Sequence, residues 1–239
     1  MKLSLCMIVK DEEEFLEDCL MKIKDLVDEI IIVDTGSTDN TKNIAKKFTD
    51  KVIDFSWNNN FAEARNHSVV HATGDWILIL DADETISDKD WSKMREAMTK
   101  ESIMGYMMIQ RNYTNDTQRD NFIRANDDSY EESTLYTGWS ESLIVRLFRN
   151  KNLKFEGEIH ELIEPSIRTA NGKTELLPIP IHHFKEKRTP ERKRAKLEQY
   201  KNLCIEKVKN NPENARAHHE LGTILRITGE HKRALEHFE

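Results

Sequence analysis

The stretch Trp76-Ile77-Leu78-Ile79-Leu80-Asp81-Ala82-Asp83-Glu84 decides the fold. Its apolar run, Ile77 to Leu80, is too short for a helix and rich in branched side chains, the pattern of a buried strand. The strand leads straight into Asp81, Asp83 and Glu84. In an open α/β sheet the carboxyl ends of the strands form the ligand crevice, so these acids belong at a rim and not in the core. Crowded carboxylates repel one another unless a cation lies between them. Hard divalent ions such as Mg²⁺ or Mn²⁺ take oxygen ligands, often one or two carboxylates plus substrate phosphates. Two acids spaced by one small residue after such a strand therefore point to a metal–diphosphate site. In isolation the same triplet is more often a solvated turn before a helix, and the flanking sequence has to decide.

That flanking sequence repeats one theme. Leu3–Val9 reads as a first strand, followed by Lys10-Asp11-Glu12-Glu13 and then Phe15, Leu16, Cys19, Leu20, Ile23 and Val27 at helical spacing. Ile30–Val33 is a second strand that ends in Asp34-Thr35-Gly36-Ser37-Thr38-Asp39, where Gly36 suits a sharp turn and Ser37, Thr38 or Asp39 can cap a helix running to about Phe48. Val52–Phe55 is a third strand, and Phe61-Ala62-Glu63-Ala64-Arg65-Asn66 opens a helix that stops near Thr73-Gly74. Strands alternating with helices at this spacing predict a mostly parallel α/β sheet with helices on both faces. Further on, a helix over Asp88–Met98 and strands over Gly105–Gln110, Leu143–Phe148, Leu153–Phe155 and Leu176–His183 are expected. Pro178 and Pro180 put the last of these at a sheet edge. The polar stretch Asn112–Gly138 shows no sustained period and reads as a long loop.

From Lys185 the composition turns basic and helix-forming, read as a solvated linker and helix face. Beyond Asn210, Pro212, His218, Leu221-Gly222, Leu225, Gly229, Ala234 and Phe238 fit the helix–turn–helix spacing of a tetratricopeptide unit. The expected organisation is a catalytic domain over 1–187 and a helical, tetratricopeptide-like segment over 188–239. One such repeat cannot bury its own faces. It therefore packs on what precedes it, serves a homo-oligomer, or belongs to a longer repeat protein. The net charge of −7 argues against a nucleic-acid binder. Cys6, Cys19 and Cys204 show no CxxC pairing, which removes a disulfide framework and a zinc site from consideration. No apolar run approaches the roughly 18–20 residues of a transmembrane span, and no signal-peptide pattern opens the chain, so a cytoplasmic protein is expected.

Taken together, MIVKDEE at Met7–Glu13, IIIVDTGSTDNT at Ile30–Thr41, FAEARN at Phe61–Asn66 and GDWILILDADE at Gly74–Glu84 resemble glycosyltransferase family 2. The resemblance covers roughly the first 110 residues, and several linked motifs are far more specific than one DxD. The segments FEGEIHE at Phe155–Glu161 and IHHF at Ile181–Phe184, with the tetratricopeptide-like tail, resemble in patches a branch with bacterial polysaccharide glucosyltransferases and peptide S-glycosyltransferases. The resemblance implies the GT-A fold and a UDP-sugar donor, glucose or N-acetylglucosamine first. It also implies Mg²⁺ or Mn²⁺, inversion at the anomeric carbon, and a peptide, protein or glycan acceptor. By the same resemblance Val9, Glu12, Asp34, Arg65, Asp81 and Ala82 line the nucleotide sugar, Asp34 accepting from the uracil imide N–H. Arg65 reads equally as an ion-pair partner of Glu63 or Asp83. Asp83 is the implied metal ligand, with Asp81 on the metal or the ribose and His183 a further metal ligand or a leaving-group donor. An inverting enzyme needs a carboxylate base opposite the leaving group; Glu161 is the first choice and Glu158 the second, with His160 beside them. Two other functions stay in view: a nucleotidyltransferase, which should carry a glycine-rich phosphate loop that MIVKDEE lacks, and a non-catalytic repeat adaptor on a degenerate enzyme domain.

Overall fold

The computed structural model describes residues 1–239, the side chain of Glu186 excepted. It divides into two compact units, Met1–Glu186 and Lys187–Glu239.

The first unit is built on a nine-stranded sheet. Its parallel half consists of β1 (Leu3–Val9), β2 (Glu29–Asp34), β3 (Val52–Asp54) and β4 (Trp76–Ile79), in the order β3-β2-β1-β4. Between these strands lie α1 (Leu16–Ile23), α2 (Thr41–Ala45) and α3 (Phe61–Val69). Every strand of this half is apolar on both faces, as a sheet covered on both sides requires. Leu3, Leu5, Met7, Ile30, Ile32, Trp76 and Leu78 point one way, against Leu16, Leu20 and Ile23 of α1 and Ile44 of α2. Cys6, Ile31, Ile77 and Ile79 point the other way, towards Ala62 and Val69 of α3. Each fully buried Leu or Ile contributes about 1.5–3 kcal/mol, so the alternation holds the strands in one register.

Past β4 the sheet turns largely antiparallel. After β5 (Glu84–Thr85) and α4 (Trp91–Ala97) come β6 (Ile103–Thr114), β7 (Phe122–Arg124) and β8 (Gly138–Arg149), then α5 (Glu164–Thr169) and β9 (Lys173–His183). β8 pairs antiparallel with β4, β6 and β7, whereas β6 and β9 run parallel. The stretch expected as one long loop from Asn112 is shorter than that. β6 continues to Thr114 because it has β8 to pair with, and β7 is a short strand with the same partner. Leu153–Phe155, expected as a strand, forms none. Leu153 and Phe155 are buried, yet the nearest ladder contact is the single bridge Glu156–Leu162. β9 meets β5 only at His182 and His183, so the stretch with Pro178 and Pro180 has an open edge on that side.

In the second unit α6 (Pro190–Asn210), α7 (Ala215–Ile227) and α8 (His231–Phe238) follow one another. Thr189 caps α6 and Asn214 caps α7, and Gly229, at φ +83°, makes the left-handed turn between α7 and α8. Gly222 lies against the Phe238 ring so closely that a Cβ there would sit 2.7 Å from it. Leu203, Cys204, Ala217, Leu221, Leu225 and Ala234 are buried. Among the described residues no helix is long and apolar enough to cross a membrane.

Candidate active site

The loops after β1 and β2 are laced together by side-chain hydrogen bonds. Asp11, at φ +52°, donates its N–H to Ser37 Oγ (2.9 Å) and accepts at Oδ1 from Thr38 N (2.7 Å); Glu12 N donates to Thr41 Oγ1 (2.7 Å). Val9 is buried at the end of β1 beside Asp34, and its carbonyl accepts from Thr35 N at 2.9 Å. Asp34 is 1% exposed. Its Oδ1 accepts from Gly36 N (2.9 Å) and Ser37 N (2.8 Å), fixing the turn. Its Oδ2 is buried without a hydrogen-bond partner. A buried carboxylate oxygen left without a donor costs about 1–3 kcal/mol or more, so this acid is set up to receive one. Of the two roles its sequence context suggested, the turn is made by Oδ1, and Oδ2 is left over for a donor from outside the chain.

Asp83 and His183 meet where β5 and β9 join. Glu84 pairs with His183 in that ladder, Phe184 N donates to Asp83 O at 2.9 Å, and Asp83 Oδ2 lies 3.4 Å from His183 Nε2. Asn112 orients the imidazole: its Oδ1 lies 2.9 Å from His183 Nδ1, while its amide nitrogen faces Gln110 Oε1 and the Ser140 carbonyl. That places Nδ1 against the asparagine and turns Nε2 towards the Asp83 carboxylate. Two electron donors converging at this distance suit a divalent cation. No group of three or more His, Cys, Asp or Glu side chains suited to a metal occurs among the described residues. Two protein ligands can suffice where other oxygens complete a cation's shell.

Asp81 is placed differently. Its Oδ1 is 2.6 Å from Arg65 Nη2 and its Oδ2 is 3.1 Å from Arg146 Nη2, so a guanidinium lies against each oxygen. Arg146, on β8, also reaches Glu84 Oε1 at 3.3 Å. Glu84 is buried, holds the Asp81 N–H at 2.8 Å and bonds Gln110 through its other oxygen. Burial raises the Glu84 pKa, and the Arg146 charge pulls against that rise. Ala82, between the two acids, is buried at 3% exposure.

Arg65 is 3% exposed on α3 and pairs with neither Glu63 nor Asp83, the two acids its sequence neighbourhood suggested. Glu63 faces outward, held by Asn58 and Asn60. Arg65 instead joins Asp81 to Glu161, its Nε lying 3.1 Å from Glu161 Oε1. Burial pulls the Arg65 pKa down, and the charges of Asp81 and Glu161 more than offset it. Glu161 reaches this partner because its loop is closed on itself. Glu156 and Leu162 exchange both backbone bonds at 2.9 Å, and Gly157 turns the chain at φ +101°. Asn66 then clasps the loop to α3, donating to Phe155 O (3.0 Å) and accepting from Phe155 N (2.7 Å), while Phe61 N donates to Glu158 O (2.8 Å). The side chains of Glu158 and His160 are exposed, and Glu161 is half-buried.

The structure therefore brings Asp81, Arg65 and Glu161 together, and separately Asp83 and His183. Arg146, Gln110 and Asn112 escaped the sequence reading. Only Arg146 left a signal, as the one charged residue in the apolar run Leu143–Phe148.

Known proteins resemble the chain over most of its length. The family model described as Glycosyl transferase family 2 matches residues 4–161. A TPR repeat-containing protein of Synechococcus elongatus is 32% identical, over 98% of this chain and 54% of its own. The SPbeta prophage-derived glycosyltransferase SunS of Bacillus subtilis is 26% identical, over 97% of this chain and 51% of its own. The chain thus spans about half the length of these curated relatives. Among solved structures, glucosyl-3-phosphoglycerate synthase of Mycobacterium tuberculosis in complex with Mn²⁺ and uridine-diphosphate-glucose has the same fold, at a TM-score of 0.53 and 15% identity, covering 85% of this chain and 77% of that one. With the family model spanning the whole parallel half and the Glu161 loop, the chain belongs to glycosyl transferase family 2.

Proposed function

We propose that the chain catalyses inverting transfer of a sugar, glucose or N-acetylglucosamine first, from a UDP-sugar to a hydroxyl or thiol of a peptide, protein or glycan. The observation that carries this reading is the meeting of Asp83 with an imidazole whose other nitrogen is fixed by Asn112. The buried, unpartnered Asp34 Oδ2 supports it from the base end of the donor, where a uracil imide N–H would be its donor. In the reaction the acceptor oxygen or sulfur bonds to the anomeric carbon. The bond from that carbon to the diphosphate oxygen breaks, its electron pair leaves with UDP, and the acceptor proton passes to Glu161. A divalent cation held by Asp83 and His183 would supply positive charge beside the departing diphosphate. Screening UDP-sugars for Mn²⁺- or Mg²⁺-dependent release of UDP by the purified protein tests the reading. Turnover of one sugar only with the metal present is the expected result. No UDP affinity by calorimetry with either metal would overturn it and leave the repeat-adaptor reading.

The helical unit adds a second expectation. Its helices share no residue with the nucleotide motifs, so we assign it to the acceptor. Removing residues 211–239 should lower transfer to the acceptor at least tenfold, about 1.4 kcal/mol of lost binding, with UDP-sugar hydrolysis little changed. Removing α7 and α8 also leaves Leu203 and Cys204 of α6 exposed, so solubility should fall. Equal loss of both activities in a still-folded protein would make the unit structural support.

A further inference from the structure

The ion pairs of Asp81 carry an inference that rests on the proposed function and goes past it. We infer that Arg65 is a positioning residue that fixes the acceptor-side base Glu161 to the first acid of the DxD, with Arg146 bracing that acid from behind.

Four observations converge on this. First, the guanidinium of Arg65 is used edge by edge: Nε holds Glu161 Oε1 at 3.1 Å and Nη2 holds Asp81 Oδ1 at 2.6 Å. The planar fork of an arginine permits this, and the point charge of a lysine does not. Second, Arg65 is 3% exposed and Arg146 5%, so both are held inside the protein by their carboxylates, with Arg65 Nη1 and Arg146 Nε left without a partner. Third, the four groups reach one place from separate elements: Arg65 from α3, Asp81 from the end of β4, Arg146 from β8 and Glu161 from the closed Glu156–Leu162 loop. Fourth, that loop is clasped to α3 through Asn66, immediately after Arg65, so the base and its arginine move as one body. A general base must hold its oxygen within hydrogen-bond reach of the acceptor proton, and misplacement by about 1 Å costs on the order of 10²-fold in rate. Glu161 sits on a loop, where such placement is hardest to keep without a rigid anchor. Arg65 supplies that anchor, and Asp81, held by Arg146, anchors Arg65 in turn.

The test uses the whole chain, Mn²⁺, and whichever of UDP-glucose and UDP-N-acetylglucosamine the wild type hydrolyses, with water as acceptor. Hydrolysis rate, UDP affinity by calorimetry and thermal midpoint are measured for Arg65→Lys, Arg65→Met, Glu161→Gln and the double variant Arg65→Lys/Glu161→Gln. In Arg65→Lys, kcat should fall on the order of 10²-fold with UDP affinity unchanged, because the lysine keeps the charge but cannot hold both carboxylates. Adding Arg65→Lys to Glu161→Gln should cost little more, since residues acting as one unit are strongly non-additive. Arg65→Met leaves two carboxylates without their cation, and its thermal midpoint should fall well below that of Arg65→Lys. Two results would overturn the inference: UDP affinity lost in proportion to kcat, which would put Arg65 on the donor, or fully additive losses in the double variant. If instead the wild type binds no UDP, the proposed function itself has failed. A wild type that turns over with additive variants sinks the positioning role alone.

Discussion

Replacing Asp83 with Ala should cut metal-dependent turnover of the UDP-sugar by at least roughly 10³-fold, since a bound metal supplies several kcal/mol of transition-state stabilisation. The fold should survive. Asp83 contributes its carbonyl to Phe184 N, and the β5–β9 ladder runs through the backbone of Glu84 and Thr85; none of these contacts uses the carboxylate. The substitution removes, among the contacts of Asp83, the oxygen facing His183 Nε2 at 3.4 Å. Calorimetric titration with Mn²⁺ in the presence of UDP should show the same loss, independently of any rate. Unchanged activity with the same metal requirement would remove Asp83 from the site. Asp81→Ala should be nearly as damaging, by another route: it strands Arg65 and Arg146 in a buried position with one carboxylate fewer between them.

The second large effect belongs to Glu161→Gln, which should keep UDP and metal affinity and lose transfer by about 10²–10⁴-fold, the range for removing a general base from a hydroxyl acceptor. The amide is a clean probe here. Its oxygen can still accept from Arg65 Nε, and the Glu156–Leu162 bridge that shapes the loop is made by backbone alone. The proton acceptor is lost, together with one of the two charges facing Arg65. The size of the effect also reads the acceptor. A hydroxyl is un-ionised at neutral pH, whereas a thiol with an ordinary pKa near 8.5 supplies part of its own anion. A much smaller loss that shrinks further at high pH would therefore indicate a thiol. Weakened donor binding with an unchanged bound-state rate would move Glu161 to the donor site and make Glu158 the base to test.

The parts of this architecture that could be read from sequence are those in which one strand carries its own evidence. In the parallel half each strand is apolar on both faces and ends in its own acid or turn, so β1, β2 and β4 were legible along with Asp34, Asp81 and Asp83. The antiparallel half is different. β6 and β8 extend well beyond their apolar centres because each is the other's partner, and β5 is two residues long and exists only against His182 and His183. Pairing of this kind is a property of the assembled sheet, with no local period to announce it. The same limit applied to side chains. Arg65 was visible as a charge in a motif, but its partner Glu161 is 96 residues away and is brought in by a loop that closes on itself. Nothing local distinguishes that pair from one with Glu63.

The two adjacent histidines illustrate what a two-residue ladder can enforce. His183 faces Asp83, while His182, fully buried, stacks on Tyr113 at 5.8 Å, pairs with its hydroxyl at 2.7 Å, and is pushed down to about 3 by burial and by the charge of Arg111. The chain thus spells the same residue twice, and only the pleat tells the copies apart. A gain or loss of a single residue between Pro180 and the histidines would turn each of them to the opposite face of the sheet. Length drift just upstream should be strongly selected against in natural variants, even where the substituted residues themselves are interchangeable.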